Sequence, residues 1–91
     1  MNLEELKAAT DAAVARLTGA EWEQVAGEFT EVEKHDTGMS GRIRLLKKGR
    51  LFLVVEEPQP DVLAVRKMAS AAAGRDFLRE RMAAYDRMWD G

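Results

Sequence analysis

The chain contains no cysteine among its 91 residues, and this absence removes several kinds of chemistry at once. Disulfide bonds, thiolate metal sites and cysteine nucleophiles are all excluded. A small secreted scaffold usually depends on disulfides, so we expect a protein of the reducing cytoplasm. With 46% hydrophobic residues, the chain is long enough to form one domain that buries roughly 60–65% of the surface of its unfolded state.

Long hydrophobic runs are also missing. The longest unbroken runs cover residues 51–55 and, if small residues are counted as apolar, residues 69–74, whereas a helix needs ~20 apolar residues to cross a bilayer. The first residues include Glu4 and Glu5, at a point where a secretory signal would carry basic residues before an apolar segment. We therefore expect a cytoplasmic protein without a membrane partner.

Histidine is scarce, since His35 is the single one in the chain. A metal site needs three or four ligands, and one imidazole with surface carboxylates is a poor set. The adjacent carboxylates Glu56 and Glu57 end an apolar run. A catalytic pair would need one of its two carboxylates to be buried. Solvation at the end of a strand is the simpler interpretation of that pair. We therefore predict no metal, no cofactor and no enzyme activity.

The N-terminal third predicts two helices followed by a strand. Asn2 and Glu5 have the spacing of a capping box, and apolar residues then recur at helical intervals, which predicts a helix over 3–18. A second capping-box spacing precedes a short helix predicted at 20–26. Residues 28–35 alternate at period two and predict a strand. The point at which helix gives way to strand in this stretch is left open by the sequence.

Residues 42–57 predict a β-hairpin, because two apolar β-favouring runs flank a short segment that contains glycine. Gly49 is predicted to adopt the left-handed conformation in a three-residue loop with a bulge. This register would place Ile43, Leu45, Leu51, Leu53 and Val55 on one face of the sheet, and Arg42, Arg44, Leu46, Arg50, Phe52 and Val54 on the other.

The prolines at 58 and 60 are predicted to end the last strand. Apolar residues then recur at helical spacing from Val62 to Trp89, with Gly74 as an interruption. The chain is therefore predicted to be a single small α+β domain over residues 1–91. It would comprise an N-terminal helix, a short second helix, a three-stranded antiparallel meander and a C-terminal helix or broken helix packed on the sheet.

Three large side chains suggest a surface for a partner. Trp22, Met88 and Trp89 exceed what a thin core needs, and the last two lie near a helix end that would otherwise fray. Exposed aromatic and methionine side chains are typical of binding surfaces. We therefore expect a non-enzymatic protein–protein interaction or regulatory module that binds a protein partner or self-associates.

Nucleic-acid binding by the basic hairpin is the alternative function. Residues 37–50 hold five basic residues and no acidic one. The candidate contacts are Arg42, Arg44, Lys47, Lys48, Arg50 and Phe52. Against this alternative stand the net charge of −2 and Glu31 and Glu33, which could pair across strands with two of the arginines. Whether those glutamates neutralise the basic face is left open by the sequence, and nucleic acid is the less favoured partner.

Overall fold

Five antiparallel strands form one sheet with helices on both of its faces. The computed structural model describes residues 1–38 and 41–90, with the backbone alone at 38, 89 and 90. In chain order the elements are α1 (Leu3–Ala12), β1 (Ala15–Leu17), α2 (Gly19–Ala26), β2 (Thr30–Gly38), β3 (Gly41–Lys48), β4 (Leu51–Gln59), β5 (Val62–Met68) and α3 (Ala71–Asp90). The strand order across the sheet is β1-β5-β4-β3-β2. The predicted α+β class and the three helices are confirmed, whereas the predicted three-stranded meander has too few strands.

The first helix is shorter than the predicted helix over 3–18, because the chain turns into the sheet after it. The capping box of Asn2 and Glu5 is present, but α1 ends at Ala12. Ala15 and Leu17 are buried and belong to β1, which pairs antiparallel with β5. The apolar residues that continue the helical pattern therefore form an edge strand. Here strand pairing outweighs helix propensity.

The stretch that the sequence left open divides into a helix and a strand. The second capping box, of Thr18 and Glu21, starts α2, and β2 begins at Thr30. Phe29 lies between the two elements and stacks on Trp22 with ring centroids 5.8 Å apart. The connection is therefore attached to the core by an aromatic contact.

The hairpin between β3 and β4 turns in two residues, so the predicted three-residue loop is wrong. Lys48 lies opposite Leu51, which leaves Gly49 and Arg50 as the central residues. Gly49 has a φ of +58° and Arg50 does not have a positive φ. A positive φ at the first central position alone is the pattern of a type II′ turn, which favours glycine there.

This turn shifts the register from the predicted one by an odd number of residues, and it therefore exchanges the faces of one strand relative to the other. Leu45 lies opposite Val54, and Leu46 lies opposite Leu53. The predicted division of the hairpin side chains is therefore wrong. Ile43, Leu45, Phe52 and Val54 share one face, whereas Arg42, Arg44, Leu46, Leu51, Leu53 and Val55 share the other.

Residues 62–68 form β5 and are not the start of a helix. The strand before them continues through Pro58, where a register shift marks a bulge that can accommodate proline. Pro60 and Asp61 are the central residues of the turn into β5, and Asp61 has a φ of +65°. Proline followed by a positive φ is the pattern of a type II turn. Because β5 lies inside the sheet with apolar residues on both faces, its sequence lacks a clear alternation.

Each face of the sheet is covered by helices over only part of its width. On one face, called the α1–α2 face, the two N-terminal helices pack against β1 and β5. Its core includes Leu6, Trp22, Val25, Leu46, Leu53, Val55, Leu63 and Val65. On the other face, called the α3 face, α3 lies mainly over β2, β3 and β4, and its core comprises Ile43, Leu45, Val54 and Leu78. The α3 face is therefore open over β1 and much of β5.

The last helix runs through Gly74 without a break. A Cβ at this position would lie 2.5 Å from Cδ1 of Leu45, so glycine allows α3 to pack this closely on β3. Neither α3 nor another helix in the described part of the chain has an apolar stretch long enough to cross a bilayer.

The type II′ turn makes a prediction about two glycines. Gly49→Val is expected to lower the free energy of unfolding by about 1–2 kcal/mol, because a side chain is strained at positive φ. Gly27→Val is the matched control: a Cβ at either position meets no atom within 4 Å, but Gly27 has a φ of −64°, so the control should change stability by less than about 0.5 kcal/mol. Urea denaturation measures both variants, and equal losses would contradict the turn.

Candidate functional site

Glu56 is the one charged residue that is fully buried among those the structure describes, with 4% of its surface exposed. The alternation of β4 places it beneath α3, after Phe52 and Val54. Arg81 donates to Oε2 from Nη2 at 2.7 Å and from Nε at 3.2 Å, and the Tyr85 hydroxyl donates to the same oxygen. Nη1 of Arg66 donates to Oε1 at 3.2 Å. These residues, called the Glu56 cluster, connect β4, β5 and α3.

Two opposing effects act on the pKa of Glu56. Burial raises it, while hydrogen bonds from Arg81 and Tyr85 and the attraction of the Arg81 and Arg66 guanidiniums lower it. The attraction prevails, so the pKa of Glu56 lies below its usual value. Burial and the hydrogen bond to Glu56 raise the pKa of Tyr85, so its hydroxyl stays protonated and donates. Neither group is suited to exchange a proton near neutral pH.

A cleft of about 330 Å³ lies beside the Glu56 cluster, on the part of the α3 face that α3 leaves open. Its floor is formed by a row of residues that lie opposite one another on three neighbouring strands. Arg16 on β1 lies opposite Ala64 on β5, and Ala64 lies opposite Glu56 on β4. Because neighbouring strands are ~4.8 Å apart, the backbones of Arg16 and Glu56 are separated by about 10 Å. Because the alanine side chain between them is small, the cleft is deeper at this point.

Two apolar side chains that border the cleft are exposed. Val62 on β5 is 45% exposed, and Met88 on α3 is 73% exposed. Single exposed apolar residues are ordinary on protein surfaces, but two that border one concave surface make it a candidate binding site.

Three guanidinium groups and one carboxylate line the cleft. Arg66 and Arg81 bind Glu56, and Arg66 also lies over the ring of Phe77 at 5.0 Å. Arg16 is exposed, and its side chain has no hydrogen bond or ion pair with the residues that the structure describes. The cleft therefore carries a surplus of positive charge, and Arg16 is the guanidinium that remains free to bind an anion.

The structure describes the side chains of two of the three predicted interaction residues. Met88 lies at the cleft. Trp22 is 3% exposed and packs in the core of the α1–α2 face, so it is not accessible to a partner in this fold. The side chain of Trp89 lies outside the described residues.

The observed register divides the six candidate nucleic-acid contacts. Arg42, Arg44 and Lys48 lie on the α1–α2 face, Lys47 and Phe52 lie on the α3 face, and Arg50 lies in the turn. Phe52 is partly buried against the core beneath α3. The structure therefore does not gather these residues on one stacking surface.

Acidic residues accompany two of these bases, although they are not the predicted ones. Nε of Arg42 donates to Oε1 of Glu57 at 2.7 Å, and Nζ of Lys48 lies 3.5 Å from Oε1 of Glu28. Glu31 and Glu33 lie opposite Leu46 and Leu45. Neither glutamate therefore lies opposite Arg42 or Arg44, and the cross-strand pairing that the sequence left open does not form in this register.

Arg44 has a packing role on the α1–α2 face. Its guanidinium lies 5.9 Å from the centroid of the Trp22 ring, and its Nε and Nη2 atoms are buried without a hydrogen-bond partner among the described residues. Burial lowers the pKa of Arg44, and repulsion by Arg42 adds to this effect. Stacking on the indole, and not ion pairing, holds this side chain.

His35 lies on the α3 face of β2, opposite Ile43. Its Nε2 is 2.9 Å from Oε2 of Glu33, and the other oxygen of that carboxylate is 3.8 Å from Nε of Arg75. Within residues 1–38 and 41–90, no group of three or more His, Asp or Glu side chains has an arrangement that could hold a metal ion.

The Glu56 cluster was not predicted from the sequence. The interpretation of Glu56 as a solvated strand end is wrong, because β4 continues to Gln59 and α3 covers the carboxylate. Two local signals were available: Glu56 continues the alternation of an apolar face, and Arg81 and Tyr85 have the four-residue spacing of one helix face. The contact between that helix face and that strand is long-range and cannot be read from either segment.

Comparison of the chain with models of known protein families, with curated proteins and with solved structures finds no match. The geometry and charge of the cleft are therefore the basis for a functional proposal.

The lowered pKa of Glu56 predicts how stability depends on pH. Glu56→Gln is expected to lower the free energy of unfolding at pH 7 by about 2–3 kcal/mol, because two guanidiniums lose their carboxylate. A depressed pKa stabilises the fold above the ordinary carboxyl value of 4.5, and this stabilisation disappears as the pH falls through the folded pKa. The difference in the free energy of unfolding between the wild type and the variant should therefore become smaller in acid. Glu80→Gln, at an exposed position of α3, is the control in the same urea titrations, and a difference that widens in acid would contradict the cluster.

The unpaired nitrogens of Arg44 make a second prediction. Arg44→Met removes both nitrogens and should leave the free energy of unfolding unchanged or raise it by up to about 1 kcal/mol. The substitution relieves the cost of buried donors without hydrogen bonds, about 1–3 kcal/mol, and it loses the stacking on the indole, which contributes about 0.5–2 kcal/mol. Arg42→Met, on the same strand and face, should cost about 0.5–1.5 kcal/mol because its hydrogen bond to Glu57 is lost. Chemical denaturation compares the two, and a larger loss for Arg44→Met would contradict this account.

Proposed function

We propose that this protein is a non-catalytic interaction module that binds a segment of another protein in the cleft beside Glu56. The observation that carries the proposal is the open part of the α3 face, where exposed Val62 and Met88 border a concave surface that also holds three guanidiniums. Methionine and arginine are both enriched at protein interfaces.

The Glu56 cluster favours binding because it makes the cleft rigid. Its hydrogen bonds fix the last turns of α3 against β4 and β5 before any partner arrives. Beneath the floor, Leu63 and Val65 of β5 are buried in the core of the opposite face. A preformed surface loses little conformational entropy when it binds.

The same cluster favours binding over catalysis. Both oxygens of Glu56 accept hydrogen bonds, and its pKa is lowered, so it is a poor general acid. The raised pKa of Tyr85 keeps its hydroxyl protonated, so the phenolate that a general base would need is not formed near neutral pH. The charged groups of the cleft are thus suited to holding a ligand and not to transferring its protons.

A different protein is a better partner for this cleft than a second copy of the chain. In a symmetric dimer each interface patch meets the same patch of the other subunit. A dimer formed through this cleft would bring its surplus of guanidiniums together, and like charges that face each other repel. Self-association would therefore have to use another surface, and sedimentation at several concentrations tests for it.

Nucleic-acid binding remains the competing prediction, and two observations speak against it. The candidate residues are divided between the two faces of the sheet, and Arg42 and Lys48 have acidic partners. Titration of generic RNA and DNA at increasing salt tests the alternative. Affinity that falls steeply with salt, and that Arg50→Glu abolishes, would favour nucleic acid over a protein partner.

Crosslinking tests the proposed surface. A photoreactive amino acid at position 88 should crosslink a specific protein in the native cell, whereas the same group at Val14, which is 36% exposed and is not one of the residues that line the cleft, should not. With that partner purified, Val62→Ser is expected to weaken binding by about tenfold, and Val14→Ser by less than about twofold. Equal effects of the two serine variants would contradict the cleft as the interface.

A further inference from the structure

We infer that the cleft recognises an acidic segment of its partner and that Arg16 binds the segment's carboxylate. This inference rests on the proposed function and adds the chemical class of the ligand. It also assigns a specificity-determining role to a residue on the short edge strand β1.

The charges of the cleft favour an anionic ligand. Arg66 and Arg81 share the single carboxylate of Glu56, so the two guanidiniums already exceed their counter-charge by one. Arg16 adds a further positive charge and has no partner of its own among the described residues. A carboxylate is the planar anion that a guanidinium binds with two parallel hydrogen bonds.

The floor of the cleft provides room for that carboxylate on the Arg16 side. Ala64 separates Arg16 from Glu56 in the same row of the sheet, and its methyl group is the smallest side chain that keeps a Cβ there. Hydrogen bonds from Arg66 and Arg81 already compensate the negative charge of Glu56. An incoming carboxylate beside Arg16 would therefore meet guanidiniums on two sides and little uncompensated negative charge.

The apolar border restricts the segment further. Val62 lies two residues before Ala64 on the same strand, so both side chains are on the α3 face. Met88 borders the same cleft from α3. A segment that satisfies these contacts carries an apolar side chain next to its acidic one.

Two matched peptides test this inference. The probes are the capped, fluorescein-labelled hexapeptide Gly-Leu-Asp-Glu-Leu-Gly and its amide counterpart Gly-Leu-Asn-Gln-Leu-Gly. The acidic peptide should bind the 91-residue chain at least about tenfold more tightly than the amide peptide in fluorescence polarisation. Its affinity should also fall as salt is raised.

Variants of Arg16 assign the carboxylate to this residue. Arg16→Glu should abolish the preference for the acidic peptide, and Arg16→Lys should restore part of it, since a lysine keeps the charge but loses the two parallel hydrogen bonds. Arg79→Glu makes the same charge change at an exposed position of α3 outside the cleft, and it should leave the preference intact. Circular dichroism and thermal melting confirm that each variant is folded.

The outcomes separate this inference from the proposed function. Equal binding of the two peptides, with both weakened by Val62→Ser, would overturn carboxylate recognition and leave the cleft as a binding site. Binding of neither peptide at millimolar concentration would also overturn the acidic-segment inference, while the crosslinked partner would still decide the proposed function. Displacement of the acidic peptide by a short RNA that Arg16→Glu no longer binds would assign the site to phosphate and overturn the inference as well.

Discussion

The buried carboxylate of Glu56 is the constraint on which the arrangement of this domain depends. A buried charge is costly unless other groups bind it, and here Arg66, Arg81 and Tyr85 do so from two different elements. These bonds can form together only when the last turns of α3 lie over β4. The helix is then directed along the β2–β4 part of the sheet, and β1 and much of β5 stay open on that face.

The offset of the helices gives the open surface a firm support. On the opposite face, α1 and α2 cover the same two strands that α3 leaves uncovered, and they bury Leu17, Leu63 and Val65. The strands below the cleft are therefore packed from one side and accessible from the other. The two N-terminal helices support the cleft although none of their residues lines it, because they hold its floor in place.

The sequence predicted the parts of the fold that depend on local signals. Capping boxes at Asn2 and Thr18 marked the true starts of two helices, and alternation marked β2. The errors lie where a distant segment decides. β1 exists because β5 pairs with it, and Glu56 is buried because α3 covers it. The hairpin shows how small a local error suffices: a turn shorter by one residue separates Phe52 from Arg42 and Arg44 and removes the predicted basic surface.

The Glu56 cluster holds α3 on the sheet by charged contacts, although apolar contacts could also hold the helix there. Replacing a buried ion cluster by apolar side chains of similar volume is often neutral or stabilising, so packing alone does not require these charges. Apolar replacements at positions 56, 66 and 81 would leave the cleft with Arg16 as its single guanidinium. With the cluster in place, one carboxylate holds two guanidiniums at the wall of the cleft, and the surplus of positive charge is kept close to Arg16. The contact that fixes the helix therefore also raises the net positive charge of the side chains that line the cleft from one to two.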